Sequence, residues 1–174
     1  MSAVLGKFKN HLVFIITFVS SIFLDQITKI LVQNNMVLYE SRKVFGNFFR
    51  LTYIKNHGIA FGLFQSSLFP GQKIILGIFS VVAVIFLVYM YLKLKRTFWE
   101  QLSIGLIMGG AFGNLYNRFV LHSVTDFCDL GIGKYRWFTF NLADASIVVG
   151  VILLFIIVSI EEKKFKKNTK KLEA

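Results

Sequence analysis

Four long apolar stretches constrain this chain more than any other feature. They run from about Leu12 to Val32, Ile74 to Leu92, Phe98 to Tyr116 and Asn141 to Ile160. Each is close to the roughly 20 residues that a helix needs to cross a hydrocarbon core about 30 Å thick. A helix satisfies its own backbone polar groups, for which lipid offers no partner. The pattern therefore predicts a single, mainly α-helical membrane domain with four transmembrane helices.

The composition agrees with a membrane protein. Apolar residues make up 55% of the chain and charged residues 17%, against about 25% charged residues in an average soluble domain. Lys7 and Lys9 before the first apolar stretch are also typical of a secretory leader. No small-residue cleavage site closes that stretch, so we expect a retained helix.

The positive charge predicts how the helices are oriented. The net charge is +11, and eleven of the 20 Lys and Arg fall on one predicted side: Lys7, Lys9, Lys93, Lys95, Arg96, Lys163, Lys164, Lys166, Lys167, Lys170 and Lys171. The positive-inside rule places this side, with both termini and a basic tail at 161–174, in the cytoplasm. The short clusters lie beside apolar runs and do not form the continuous basic face that nucleic acid requires, so no nucleic-acid partner is expected.

The two segments predicted to lie outside, about 33–73 and 117–140, are more than linkers. Residues 47–54 are rich in aromatic and β-branched side chains, and a similar run at 59–64 follows a turn at 56–58. Such runs are typical of strands. We therefore expect a small extracytoplasmic β-sheet, together with a second extracytoplasmic loop.

Two sets of unusual residues occur near the outer helix ends. Asp25 and Lys29 are four residues apart and share one helix face, which predicts an ion pair or part of a polar site. In the third stretch, Gly105, Gly109 and Gly113 form a stripe that favours close helix packing. A neighbouring stripe with the same spacing contains Gly110, Asn114 and Arg118.

Asp126 and Asp144 are the principal candidates for chemistry. Both lie at the predicted outer boundary, and Asn141 shares a helix face with Asp144. Asp144 fits the start of a helix, where the helix dipole favours a carboxylate. It also fits an acid pair, in which two converging carboxyls share one proton and activate water.

Other chemistries have less support in the sequence. The single Cys excludes an internal disulfide framework, and the three His show no metal-ligand spacing. Cys128 and His122 lack an evident third residue that would orient a thiol nucleophile. We therefore expect no metal and no cofactor.

Five ordered blocks resemble the bacterial lipoprotein signal peptidases, also called signal peptidase II. They are Asp25-Gln26-Ile27-Thr28-Lys29, Asn56-His57-Gly58-Ile59-Ala60-Phe61-Gly62, Gly109 to Arg118, Val124-Thr125-Asp126-Phe127 and Phe140-Asn141-Leu142-Ala143-Asp144. The resemblance covers about residues 12–160. The chain departs from the usual family pattern at His57, Ile59 and Asn117.

The resemblance implies an intramembrane aspartic endopeptidase in the bacterial cytoplasmic membrane. Its substrates would be diacylglyceryl-modified prolipoproteins, cut on the N-terminal side of the lipidated cysteine. Asp126 and Asp144 would be the catalytic pair. The residues that bind substrate or shape the site would be Asp25, Lys29, Asn56, Gly110, Asn114, Arg118 and Asn141. Membrane lipids are expected partners, and globomycin is an expected inhibitor.

Two non-enzymatic alternatives follow from the same residues. Asp25, Asp126, Asp144 and Arg118 would line the polar path of a small channel or transporter. In a membrane scaffold, the polar residues would only pack helices together.

Overall fold

The computed structural model describes residues 11–57, 72–93 and 97–172. Its helices are α1 (Leu12–Asn35), α2 (Gln72–Lys93), α3 (Phe98–Tyr116) and α4 (Leu142–Leu172). By length and composition, two of these helices contain candidate membrane spans, at Leu12–Asn35 and Leu142–Thr169, and α2 contains a shorter apolar helix, Val81–Lys93. Only 22% of the most apolar part of the first span and 17% of that of the second is buried inside the protein. Lipid would cover the apolar side chains that the protein leaves exposed.

Helix α3 packs against both α1 and α4. On the α1 side, a Cβ added at Gly105 would lie 2.8 Å from Thr17 Cβ, and one added at Gly109 would lie 2.6 Å from Ser21 Cβ. Both distances are too short for a real side chain. The glycine stripe therefore lets the two helices approach closely, and the packing interpretation is confirmed.

On its other side, α3 is equally close to α4. A Cβ at Gly110 would collide with the Ala143 carbonyl oxygen. From the facing helix, a Cβ at Gly150 would lie 2.7 Å from the Ser103 carbonyl oxygen. The central helix is therefore held between two helices by small residues, and the C-terminal half of α3 lies beside the first turn of α4.

The strands form one antiparallel sheet in the order β1-β2-β3-β4, with β1 (Ser41–Phe45), β2 (Phe49–Asn56), β3 (Val124–Ile132) and β4 (Tyr135–Arg136). The prediction of a small sheet is confirmed, and the predicted strand at 47–54 overlaps β2. Strands β1 and β3 lie in segments where the sequence predicts no strand, and β3 falls in the segment predicted as a second loop. The run at 59–64 lies outside the described residues. Strand β2 pairs with β1 on one side and with β3 on the other, where Ile54 lies opposite Asp126.

An apolar cluster attaches the sheet to the helices. Val32 and Met36 at the end of α1 pack with Tyr53 of β2 and Phe127 of β3. A π-helical turn, Asn117–Leu121, connects α3 to β3. The end of β2, the start of β3 and the start of α4 therefore lie at one end of the helix bundle.

Helix α4 is longer than its apolar stretch. It continues beyond residue 160 to Leu172, so most of the predicted basic tail is helical. Glu and Lys favour helix, and Glu162 forms an ion pair of 2.5 Å with Lys166 one turn later. The end of the apolar run therefore predicts the end of a membrane span, but it does not predict the end of the helix.

Candidate active site

Asp126 is fixed by two asparagines from different elements. Its Oδ2 accepts a hydrogen bond from Asn56 Nδ2 at 2.8 Å, and its Oδ1 accepts one from Asn141 Nδ2 at 2.6 Å. Asn56 ends β2, where the pairing of that strand with β3 brings it near Asp126. Asp126 is only 3% exposed, so its orientation depends on protein partners.

The environment of Asp126 changes its acidity. Burial raises the pKa of this carboxyl to about 6, and the nearby charge of Asp144 adds to that effect. Hydrogen bonds from Asn56 and Asn141 act in the opposite direction. Asp126 therefore keeps its proton much closer to neutral pH than an exposed aspartate does.

Asp144 lies in the first turn of α4 and forms a capping box with Asn141. The Asp144 N–H donates to Asn141 Oδ1 at 3.0 Å, and the Asn141 N–H donates to Asp144 Oδ2 at 3.2 Å. These reciprocal bonds satisfy two amides that a helix start leaves free. The helix-start interpretation of Asp144 is therefore confirmed, and it is compatible with a role in a polar site.

A second asparagine connects Asp144 to α3. Asn114 Nδ2 donates to Asp144 Oδ1 at 2.8 Å, while Asn114 Oδ1 accepts from Asn141 Nδ2 at 3.2 Å. Asn141 is completely buried and Asn114 is 4% exposed. The two aspartates therefore belong to one buried hydrogen-bond network.

Asp25 and Lys29 extend this network into α1. Their ion pair measures 2.8 Å, and Lys29 Nζ also donates to Asn114 Oδ1 at 2.9 Å. Asp25 Oδ1 accepts the Ala143 N–H at 3.0 Å. Both interpretations of the pair hold, since it is an ion pair and also part of the polar site.

Gly110 contributes to the site through its missing side chain. A Cβ there would collide with the Ala143 carbonyl, at the start of α4. Because Gly110 lies one helical turn before Asn114, this close approach helps bring Asn114 within hydrogen-bond distance of Asp144. The glycine shapes the site without binding the carboxyls itself.

Arg118 lies in the π-helical turn, one turn beyond Asn114 on the same stripe. It is half-buried, and burial lowers the pKa of its guanidinium below the usual range. The negative charges of Asp144 and Asp126 oppose this shift. Arg118 therefore lies close enough for its positive charge to act on both aspartates.

Asn117 and Gln26 also belong to the network, although the sequence does not predict them as site residues. Asn117 Oδ1 accepts from Lys29 Nζ at 2.7 Å, and Asn117 Nδ2 donates to Gln26 Oε1 at 2.9 Å. Gln26 Nε2 in turn donates to Asp25 Oδ2 at 2.8 Å. The available signals were spacing and adjacency: Asn117 follows Asn114 by three residues, and Gln26 is next to Asp25.

The geometry does not support a thiol nucleophile. Burial raises the pKa of Cys128 to about 11, and the charges of Asp126 and Asp144 raise it further. A thiol with this pKa is protonated near neutral pH and is a poor nucleophile. Among the described residues, no hydrogen bond joins Cys128 to His122, and no three His, Cys, Asp or Glu side chains form a metal-binding group.

Comparison with known sequences gives the family. Residues 17–160 match the profile of a family described as Signal peptidase (SPase) II. A lipoprotein signal peptidase from Desulfitobacterium hafniense is 41% identical over 146 residues, which cover 83% of this chain and 91% of the relative. A lipoprotein signal peptidase from Bacillus pumilus is 39% identical over 159 residues, which cover 90% of this chain and 97% of the relative.

Solved structures agree with the sequence matches. A bacterial membrane enzyme determined by the in meso method at 2.3 Å resolution superposes with a TM-score of 0.76 and 30% identity, covering 87% of this chain and 90% of that one. Another bacterial membrane enzyme, determined by the same method at 1.9 Å resolution, superposes with a TM-score of 0.74 and 31% identity. The match covers 83% of this chain and 91% of that one. These matches favour the enzyme over the channel and scaffold alternatives. The chain therefore belongs to the signal peptidase II family, the membrane aspartic peptidases that remove signal peptides from prolipoproteins.

Proposed function

We propose that Asp126 and Asp144 are the catalytic pair of this peptidase. The observation that carries the proposal is the position of Asn141, whose side chain binds both residues. Its amide nitrogen donates to Asp126, and its amide oxygen accepts the backbone N–H of Asp144. Ionising both carboxyls in one buried site is unfavourable because their negative charges repel each other, so the pair shares one proton.

The shared proton supports hydrolysis in two steps. The ionised carboxyl takes a proton from water as the water oxygen bonds to the scissile carbonyl carbon, and the protonated carboxyl donates to the carbonyl oxygen. When the tetrahedral diol collapses, the C–N bond breaks and the nitrogen receives a proton from one carboxyl. The other carboxyl takes a proton from a diol hydroxyl, which restores the starting state of the pair.

The surrounding polar residues are proposed to hold this pair and the substrate. Asn56, Asn114 and Asn141 orient the carboxyls through the bonds described above. The ion pair of Asp25 and Lys29 supports Asn114 and the first turn of α4. Gly110 allows the helices to approach. Arg118 is assigned to the substrate backbone or to stabilising charge that develops beside the pair.

Cleavage is expected to slow as the pH rises above about 6. The pKa of Asp126 is raised to about 6, so the pair keeps its shared proton below that pH and loses it above. Two ionised carboxylates then have no proton to donate to the carbonyl oxygen. The measurement is kcat/KM of the purified enzyme between pH 5 and 9, which reports the ionisation of the free enzyme. A flat profile from a protein that stays folded throughout would contradict this expectation.

We propose that all four helices cross the bacterial cytoplasmic membrane. Helices α1 and α4 contain the candidate spans, and α3 is packed between them. The distribution of Lys and Arg supports both termini in the cytoplasm and the sheet outside. In this orientation, the acid pair lies near the outer face of the membrane, with 12–32, 74–92, 98–116 and 141–160 as the spans.

The outer segments are suited to a substrate that carries lipid. Ile132, Tyr135, Trp137 and Phe138 are between 57% and 77% exposed. Aromatic side chains such as Tyr135, Trp137 and Phe138 favour the headgroup layer of a bilayer. A signal peptide crossing the membrane, with a diacylglyceryl cysteine at its outer end, would present its scissile bond at the same depth. Membrane lipids and globomycin-type inhibitors are the other proposed ligands of this region.

The decisive experiment compares two precursors in lipid vesicles that contain the full-length enzyme. We expect cleavage of the diacylglyceryl-modified precursor on the N-terminal side of the modified cysteine, identified by the product masses. The same precursor without the lipid should remain uncut, and globomycin should block the reaction. A Cys128→Ser variant is the control and should retain activity. Equal cleavage of both precursors, or cleavage at another bond, would refute the proposed specificity.

A further inference from the structure

Helix α4 is longer than a bilayer requires. Its 31 residues span about 46 Å at 1.5 Å per residue, whereas the hydrocarbon core is about 30 Å thick. The apolar run ends at Ile160, and six lysines follow in the last part of the helix: Lys163, Lys164, Lys166, Lys167, Lys170 and Lys171. The end of α4 therefore places a concentrated positive charge at or beyond the headgroup layer.

The lysine positions all fall on one side of the helix. At 3.6 residues per turn, the six positions lie within an arc of about 160°. The other side of this segment carries Phe165, Asn168 and Thr169. Residues 162–169 are all exposed, so the described part of the segment presents a basic face and a separate face with little positive charge.

The basic face continues the side of α4 that points away from the bundle. Val149, Ile152 and Ile156 lie on this side and are 54%, 54% and 48% exposed. Lys163 and Lys167 continue the same line, at intervals of seven and four residues. The opposite side packs on α3 through contacts such as that of Ala143 with Gly110. The lysines therefore lie in line with the surface that lipid acyl chains would cover.

The lysine arrangement is unfavourable without an anionic neighbour. Lys163 and Lys167 are four residues apart, as are Lys166 and Lys170 in the sequence, and like charges at this spacing destabilise a helix. The Glu162–Lys166 pair has side chains that are 60% and 70% exposed, so it offsets little of this repulsion. A negatively charged surface beside the helix would neutralise the whole face.

We propose that the basic face of residues 163–167 selectively binds the headgroups of anionic phospholipids at the membrane surface where α4 ends. The phosphate groups of a lipid such as phosphatidylglycerol match the charge of the face. These phosphate groups lie directly above the acyl chains, just as the lysines follow the lipid-facing side chains along the same side of α4. A juxtamembrane lysine beside an anionic surface strengthens association by about five-fold. The face is distant from the acid pair, so this binding is separate from the peptide-bond chemistry.

The test measures lipid selectivity of the full-length protein in vesicles by electron paramagnetic resonance of spin-labelled phosphatidylglycerol and phosphatidylcholine. The native protein should prefer phosphatidylglycerol by several-fold, with the preference weakened by high salt. A face-swapped variant keeps the net charge and moves three lysines to the other face. It combines Lys163→Gln, Lys166→Gln and Lys167→Gln with Phe165→Lys, Asn168→Lys and Thr169→Lys. The several-fold preference should disappear in this variant, which should associate nearly equally with the two lipids.

A matched control distinguishes the effect of the positive charge on this face from the effect of the lysine side chains themselves. Replacing the same three lysines by arginine keeps the charge in place and should keep the preference. Cleavage of the lipidated precursor identifies variants that are folded and inserted, since none of these residues lies near the acid pair. Equal association of both lipids with the native protein would overturn the proposal. That result would also be expected if the segment bound an acidic peptide and not a lipid. An unchanged preference in the folded face-swapped variant would also overturn it.

Discussion

Asp126→Asn and Asp144→Asn should each reduce cleavage of a lipidated precursor by about a thousand-fold or more. An asparagine amide has no acidic proton to donate, and it is too weak a base to take a proton from water. General acid and base groups contribute about 10²- to 10⁴-fold each, and the two carboxyls are proposed to act as one unit. The measurement is the initial rate of cleavage by the purified variants in vesicles, with the amount of inserted protein matched.

The stability of Asp126→Asn separates lost chemistry from lost folding. The pKa of Asp126 is about 6 in the folded chain, above its value in an unfolded chain. Folding is therefore weakened as the pH rises from about 4 through 6, and the full penalty persists above that range. The neutral amide removes this penalty, but it also replaces one of the two accepting oxygens by an NH₂ group that faces an asparagine NH₂. Because these two effects oppose each other, Asp126→Asn should change the unfolding temperature at pH 7.5 only slightly.

Asp129 provides a matched control on the same strand. It pairs with Arg136 at 2.7 Å and accepts a hydrogen bond from Thr52 at 3.0 Å, away from Asn141. Asp129→Asn removes one carboxylate from β3 and should leave most of the cleavage activity. Native activity in Asp144→Asn would exclude the proposed pair. An equal loss in Asp129→Asn would show that any charge change on this strand disrupts the enzyme.

Lys29→Met should destabilise the protein by about 3–5 kcal/mol. The substitution leaves the completely buried Asp25 without its positive partner, and the cost of an uncompensated buried charge is large. It also removes the hydrogen bond from Lys29 to Asn114, which holds Asp144. Cleavage should therefore fall by at least about ten-fold in the fraction that folds. Thermal or denaturant unfolding and cleavage rates measure the two effects.

A double variant tests whether charge imbalance is the cause. Asp25→Asn combined with Lys29→Met removes both charges, so it should recover a large part of the stability that the single change loses. Lys166→Met is the surface control, because its ion pair with Glu162 is exposed to solvent and should contribute little to stability. Equal stability of the single and double variants would refute the role assigned to the buried ion pair.

Several parts of the site are predictable because they depend on spacing along one helix. Asp25 reaches Lys29 at an interval of four residues, and Asn141 reaches Asp144 at an interval of three. The packing of the glycine stripe against α1 follows the same logic, since residues four apart share a face. These relationships hold for any regular helix and require no knowledge of its neighbours.

Contacts between distant segments were not predictable in the same way. Asn56 reaches Asp126 because β2 pairs with β3, although the two residues are 70 positions apart. Asn117 joins the buried network because α3 lies against α1 and brings it to Lys29. A polar residue at a helix end looks ordinary in a sequence, and only its burial against another element distinguishes it.

The apolar runs and their periodicity are sufficient to establish a mainly helical membrane chain and to name Asp126 and Asp144 as candidates, because hydrophobicity and helical spacing are local properties. Whether the two aspartates belong to one hydrogen-bond network is decided by the tertiary structure. Gly110 lets α3 and α4 approach, the sheet positions Asp126, and Asn141 bonds to both aspartates. This outcome depends on close packing among three elements, and no single stretch of sequence contains it.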